Sequence, residues 1–406
     1  MEAVCEWVRQ QGGFVDPRLR FVDDDARDPA RRFRRVVAGE RLPSGHVFLR
    51  VPKRALLTPA TTRIARQLRP RKAAKYSLNA WDRLILALMY EDAHRPSPWD
   101  AYLDFLPATL RTPLFWSVEE RALLSGTAAE TQCGFDAIEA GFRDRILPFV
   151  TRHRSLFPGD EGALRRSYER FGSLVMAYSF SIVDVDDDEC APVMVPVADA
   201  LNHVTGATNA NLFDDEDDEE TISMATICDV ERGDELINTY GDELGNDTLL
   251  VRYGFVDRVP NRFTQARLLQ RHILETMSSP GVTLLTSNGF CLDEEVFLRR
   301  PSLDDDLLEQ LPWDLRTLSL ASVLHTTSHI QRLMDDEEPF APDSGTRGAA
   351  FGKLVQCIDR QLAGRTRFPK RDHLPNATLA EALQAEQIAI LDAWRTVLVQ
   401  ESQIQQ

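Results

Sequence analysis

What most limits how this chain can fold is the division of its strand-type segments into two groups. Val36-Val37-Ala38 and residues 47–51 form one group; residues 193–197, 221–227 and 236–238 form the other. Between them, residues 77–181 carry helical spacing, with Trp81, Leu84, Ile85, Leu88 and Met89 on one apolar stripe. Turns such as Pro43-Ser44-Gly45 and Glu231-Arg232-Gly233-Asp234 join the short strands, and crossover helices do not. A doubly wound parallel sheet needs those helices, so the pattern predicts an α+β chain. Residues 2–10 have helical spacing, and beyond Pro260 the chain reads as helical again. Two helices are expected within 303–334. Thr378-Leu379-Ala380-Glu381 reads as a capping box opening a last helix with Leu383, Ile390, Trp394 and Val397 on one stripe. The expected plan is an N-terminal β portion (1–76), an all-helical insert (77–190), a second β portion (191–258) and a helical C-terminal domain (259–406).

Charge and motifs exclude several functions. The net charge of −16 opposes binding to a nucleic acid backbone and favours basic protein partners. Two acidic runs contribute most: Asp184 with Asp186-Asp187-Asp188-Glu189, and residues 214–220. They read as solvated loops that also suit steering of a basic substrate. The basic run from Arg63 through Arg71-Lys72 to Lys75 reads as a solvated helix face, not an import signal. Six cysteines without a Cys-x-x-Cys pair argue against zinc and a disulfide framework, and for the cytosol or nucleus. Residues 1–10 do not read as a signal peptide, and the apolar run 174–185 is too short and too interrupted for a membrane span. No dinucleotide, triphosphate or nucleophile-elbow motif is present. His325 with His329, and Asp199 with His203, lack a third ligand at a recognisable spacing, so no metal site is expected.

The informative text is Met194-Val195-Pro196-Val197-Ala198-Asp199-Ala200-Leu201-Asn202-His203. Asn209 follows, then Asp234-Glu235-Leu236-Ile237-Asn238-Thr239-Tyr240-Gly241 and Leu249-Leu250-Val251-Arg252-Tyr253-Gly254-Phe255. Each Tyr-Gly pair lets a backbone approach a ligand closely while a ring walls the pocket. Together these residues resemble the C-terminal half of a SET domain, and Val36-Val37-Ala38 with Gly45 and Val51-Pro52 looks like its first β unit. The helical insert and tail resemble the lysine methyltransferase branch typified by Rubisco large-subunit methyltransferase. Phe115-Trp116, Leu123-Leu124-Ser125-Gly126-Thr127 and Val175-Met176-Ala177-Tyr178-Ser179-Phe180 look most like SET-domain-containing protein 6 and ribosomal lysine N-methyltransferase 4.

The resemblance implies S-adenosylmethionine as cofactor and a protein lysine as acceptor. It places Val37, Ala38, Tyr178, Asn202, His203, Tyr240, Tyr253 and Phe255 at the cofactor, with the Asn202 side chain on its methionine end and the His203 backbone on its adenine. Phe180, Asp199, Tyr240 and Tyr253 would meet the substrate, and Tyr240 would be catalytic. The implied partner is a basic, lysine-containing segment of a ribosomal or nuclear protein, in nucleus or cytoplasm, met by a monomer without nucleic acid or membrane. One departure stands out. Phe33-Arg34-Arg35 occupies the place of a Gly-x-Gly-like turn, so these residues either turn their side chains outward or reshape that edge of the cofactor pocket. A histidine methyltransferase of the same fold and a non-catalytic module for basic segments remain alternatives.

Overall fold

Strands from before residue 77 and after residue 190 pair in one antiparallel sheet. The structure, a computed structural model, describes residues 1–23, 34–183, 190–215, 218–291, 295–334, 340–364 and 374–404. Phe33, residues 184–189 of the first acidic run and residues 216–217 of the second lie outside the described residues. The strands are β1 (Phe14–Val15), β2 (Leu19–Asp23), β3 (Arg34–Ala38), β4 (Val47–Pro52), β5 (Ser179–Val183), β6 (Cys190–Met194), β7 (Ala210–Asp214), β8 (Thr221–Thr226), β9 (Ala266–Leu269) and β10 (Glu295–Leu298). Two compact units contain them.

The first unit comprises Met1–Phe115, Gly134–Glu243 and Arg252–Gly254. Its sheet runs β1-β4-β8-β7, with Leu49 opposite Met224 and Leu212 opposite Met224 on the other side. Two further antiparallel pairs, β2-β3 and β5-β6, flank the functional segments. The helix Ala80–Ala93 starts on a capping box, with Asn79 accepting from the Asp82 N–H at 2.9 Å and Asp82 from the Asn79 N–H at 3.2 Å. The helix Glu161–Tyr178, capped by Asp160, runs directly into β5. Leu84, Leu88, Phe149, Phe171 and Leu174 are all at most 1% exposed and share one core with the strand residues Leu49, Val51 and Met224.

Several sequence expectations need correction. Trp81 heads the apolar stripe, yet it is 41% exposed while Leu84, Ile85, Leu88 and Met89 are buried. Residues 236–238 form no strand: the Leu236 N–H goes to Val36 O, the Ile237 N–H to the Asn209 side chain and the Asn238 N–H to Asn202 O, leaving no single ladder. β6 stops at Met194 because Pro196 has no N–H and Val197 takes a left-handed φ of 76°. Residues 63–69 of the basic run are turn, short helices follow at Pro70–Ala73 and Ala74–Tyr76, and Arg63 is tied to the buried Glu91 at 2.7 Å. The second acidic run is partly paired: Asp214 meets Lys53 at 3.1 Å, and buried Asp215 accepts from Ser223 at 2.6 Å and Arg50 at 3.3 Å.

Asp16, 2% exposed, sits in the turn before β2. It accepts from the Arg18 backbone N–H at 2.8 Å and from Arg18 Nη2 at 2.7 Å, and His46 Nε2 lies 2.6 Å away. Burial opposes its ionisation, but these bonds outweigh it and pull the carboxyl from 3.8 to about 2. A depressed folded value stabilises above the unfolded value and is lost as pH falls through the folded one. Asp16→Asn is therefore expected to lower Tm by roughly 2–4 °C, about 1 kcal/mol, at neutral pH. The difference should shrink below about pH 4 and vanish near pH 2, the window set by the two values. Melts across pH check this; a gap of constant size contradicts it.

The second unit comprises Trp116–Cys133, Leu244–Val251 and Phe255–Gln406. β9 pairs with β10, Leu268 opposite Val296, and helices pack around them. The long helices Ser344–Ala363 and Ala377–Ile404 lie against each other over a core of Leu268, Met277, Leu315, Phe351, Leu391 and Trp394. The last helix begins one residue before Thr378, so Thr378 does not cap it; Leu383, Ile390 and Trp394 of the expected stripe are buried. Helices span Trp313–Ala321 and Thr327–Arg332, each beginning after a turn, and residues 303–312 are not helical. Among the described residues no helix is long and apolar enough to cross a membrane.

Candidate functional site

The segment after β6 folds back sharply. Val197 is a buried β-branched residue at positive φ, a conformation such residues avoid, so the packing around it must enforce the turn. The one-turn helix Ala198–Ala200 follows, and within five positions the chain presents Asp199, the Leu201 carbonyl, Asn202 and His203. Residues 235–240 run alongside, bridged at Asn202 and Ile237.

A cavity of about 510 Å³ opens there, lined by residues that include Tyr178, Phe180, Asp199, Leu201, Tyr240 and Tyr253. Three rings stack in series, of which Tyr240 and Tyr253 line the cavity. His203 and Tyr240 lie 5.3 Å apart at 24°, and Tyr240 and Tyr253 lie 4.6 Å apart at 28°. The Tyr240 hydroxyl donates to Leu201 O at 3.0 Å, and its backbone N–H donates to His203 Nδ1 at 3.1 Å. Nδ1 therefore carries the lone pair, and the imidazole tethers the tyrosine backbone. Burial raises the Tyr240 and Tyr253 hydroxyls above their ordinary value and Tyr178 to about 12, so all three are neutral phenols near pH 7.

Asn202 is held from two sides. Its Nδ2 donates to Arg34 O and to Glu235 Oε1, both at 2.7 Å, so the amide oxygen is what it offers outward. At the departure from Gly-x-Gly, Arg34 presents its backbone carbonyl to Asn202. Its guanidinium turns to Phe105, donating to the carbonyl at 2.7 Å and lying 4.7 Å from the ring centre. Val37 and Ala38 are buried in β3; Ala38 exchanges backbone bonds with Gly233 and Asp234, and neither residue is among those lining the cavity. Phe255 belongs to the second unit.

Sequence reasoning missed three residues. Tyr102, wholly buried, donates its hydroxyl to Asp199 Oδ2. Glu235 orients Asn202, and Trp81 lines the cavity. Tyr102 carries no periodic or motif signal. Glu235 lies in the string that ends at Tyr240-Gly241, but 33 positions separate it from Asn202, so nothing in the sequence marks the pairing.

No protein-family model matches the chain. N-lysine methyltransferase SETD6 of Mus musculus is 37% identical over 235 residues, 56% of this chain and 48% of that protein. N-lysine methyltransferase setd6 of Xenopus laevis is 34% identical over 293 residues, 69% of this chain and 59% of that protein. The chain thus spans about half the length of the curated relatives it matches. Among solved structures, the SET domain of LSMT bound to lysine and AdoHcy aligns with a TM-score of 0.68 at 18% identity, over 100% of this chain and 92% of that one. Rubisco LSMT bound to AdoMet aligns with a TM-score of 0.66 at 17% identity, with the same coverage.

Proposed function

We propose that this chain, which has the SET-domain fold of Rubisco LSMT, is an S-adenosylmethionine-dependent protein-lysine N-methyltransferase. The observation that carries the reading is the aromatic cavity in which the Tyr240 ring stacks between His203 and Tyr253 while its hydroxyl is held by Leu201 O. Similarity to N-lysine methyltransferases SETD6 supports it. The cofactor supplies a methyl group on a sulfonium, which an uncharged amine displaces in line; alignment and exclusion of water matter most.

The protein's own residues would divide that work. The outward amide oxygen of Asn202 would accept from the ammonium of the cofactor's methionine end, and Glu235 and Arg34 O keep the amide in that orientation. The Tyr240 hydroxyl spends its proton on Leu201 O, so its oxygen can only accept from the substrate nitrogen. It would hold one amine N–H and leave the nitrogen lone pair facing the methyl group. The rings of Tyr178, Phe180 and Tyr253 would keep water out and favour the cationic product by cation–π attraction.

The substrate we propose is a lysine in a basic segment of a ribosomal or nuclear protein, met in nucleus or cytoplasm by a monomer. The net charge of −16 supports a basic partner. Methylation of a proteome fraction with labelled S-adenosylmethionine, followed by mapping of the marked residue, tests this. Label on lysine supports it; label on histidine, or none, overturns it. Asn202→Ala is expected to weaken S-adenosylmethionine binding by about 10- to 100-fold in calorimetry, the loss of one hydrogen bond to a charged group. Unchanged affinity would remove Asn202 from the cofactor site.

A further inference from the structure

Among the described residues lining the cavity Asp199 is the one carboxyl, and it is only 7% exposed. Tyr102 occupies its Oδ2, while Oδ1 is buried with no hydrogen-bond partner among the described residues. A buried carboxyl oxygen without a donor is costly, and a donor brought by a ligand relieves that cost. The titratable and charged groups facing it are Tyr102 from the helix Asp100–Leu103, Arg34 from β3, Tyr178 at the end of the helix Glu161–Tyr178, and Tyr240. The three tyrosines are raised, so none serves as a base near pH 7. Burial raises Asp199 to about 8, against the opposing pull of the Tyr102 hydrogen bond, its own backbone N–H and Arg34. The ionised, proton-accepting form is therefore a minority near pH 7 and grows as pH rises towards 8.

We propose that Asp199, positioned by Tyr102, is the proton acceptor for the incoming substrate ammonium. One N–H bond of the lysine Nζ breaks, its electron pair stays on nitrogen, and the proton forms an O–H bond at Asp199 Oδ1. The neutral amine then has the lone pair that methyl transfer consumes, and Asp199 returns its proton to water after product release. Tyr102 is a positioning residue: its hydroxyl holds the carboxyl and favours the charged form. This rests on the lysine methyltransferase reading.

The test is kcat and KM from about pH 6 to pH 10 on a synthetic peptide spanning the mapped lysine, with calorimetric S-adenosylmethionine binding alongside. Asp199→Asn is expected to lose about 100-fold in kcat near pH 8, where wild-type Asp199 is about half ionised, and to recover about tenfold per pH unit above that as solvent deprotonates the lysine. Tyr102→Phe is expected to move the acid limb of kcat/KM to higher pH with cofactor affinity unchanged. Wild-type pH dependence in Asp199→Asn, or failure of that folded variant to recover at high pH, overturns the proposal. If Asp199→Asn does not fold, Tyr102→Phe decides, and an unshifted limb is the overturning result. A wild-type protein that transfers no methyl at any pH overturns both readings; the variant outcomes overturn this one alone.

Discussion

Tyr240→Phe is expected to slow single-turnover methylation by about 100- to 1000-fold, the range seen when one preorganised polar contact is removed from a transition state. The ring keeps its place between His203 and Tyr253, and the backbone N–H keeps its bond to His203 Nδ1, so the pocket wall survives. What disappears is the oxygen that would hold the amine. Leu201 O loses its donor at the same time, a cost confined to one carbonyl. Cofactor affinity should stay within about twofold and the melting temperature within a few degrees, because the stacking area is unchanged. Enzyme in excess over peptide, with quenched time points, isolates the chemical step. An unchanged rate constant would remove Tyr240 from the chemistry.

Glu386→Ala is expected to produce the largest loss of stability of any single substitution considered. Glu386 is 2% exposed in the second unit and receives three donors: Asn246 Nδ2 at 2.7 Å, the Asn261 backbone N–H, and Thr264 Oγ1 at 3.1 Å. Asn246 and Thr264 are themselves 0% exposed and Asn261 4%. Truncation strands all three, at about 1–3 kcal/mol each, so a total near 3–5 kcal/mol is expected after partial relaxation. Calorimetry should record a transition lowered by roughly 10 °C. A shift below about 2 °C would mean that water reaches the stranded donors.

The residues legible in the sequence were those carried by short, recognisable strings. Asn202 and His203 stand side by side, and Tyr240 and Tyr253 each lie beside a glycine in a recognisable string. The residues that position them were not legible. Tyr102 meets Asp199 across 97 positions, and Arg34 meets Asn202 across 168, pairings that exist only in the folded chain. Trp81 fitted its helical stripe perfectly well, but the stripe faces the core for its other members and the cavity for Trp81. Residues 236–238 had strand composition, yet their backbone donors are divided among three different partners, which periodicity along one chain does not record.

The stretch from Asp199 to His203 has a consequence for how the chain can vary. An acid, a carbonyl acceptor, an amide and an imidazole are addressed there by register, one after another behind the left-handed turn at Val197. Adding or removing one residue inside it would rotate all four out of place together. The loops that join the helices of residues 80–178 are freer: they can lengthen provided Trp81, Tyr102 and Tyr178 keep their places. Insertions and deletions are therefore graded along this chain, forbidden within five positions and tolerated around them, and change in what the protein recognises can accumulate without passing through a chemically dead intermediate.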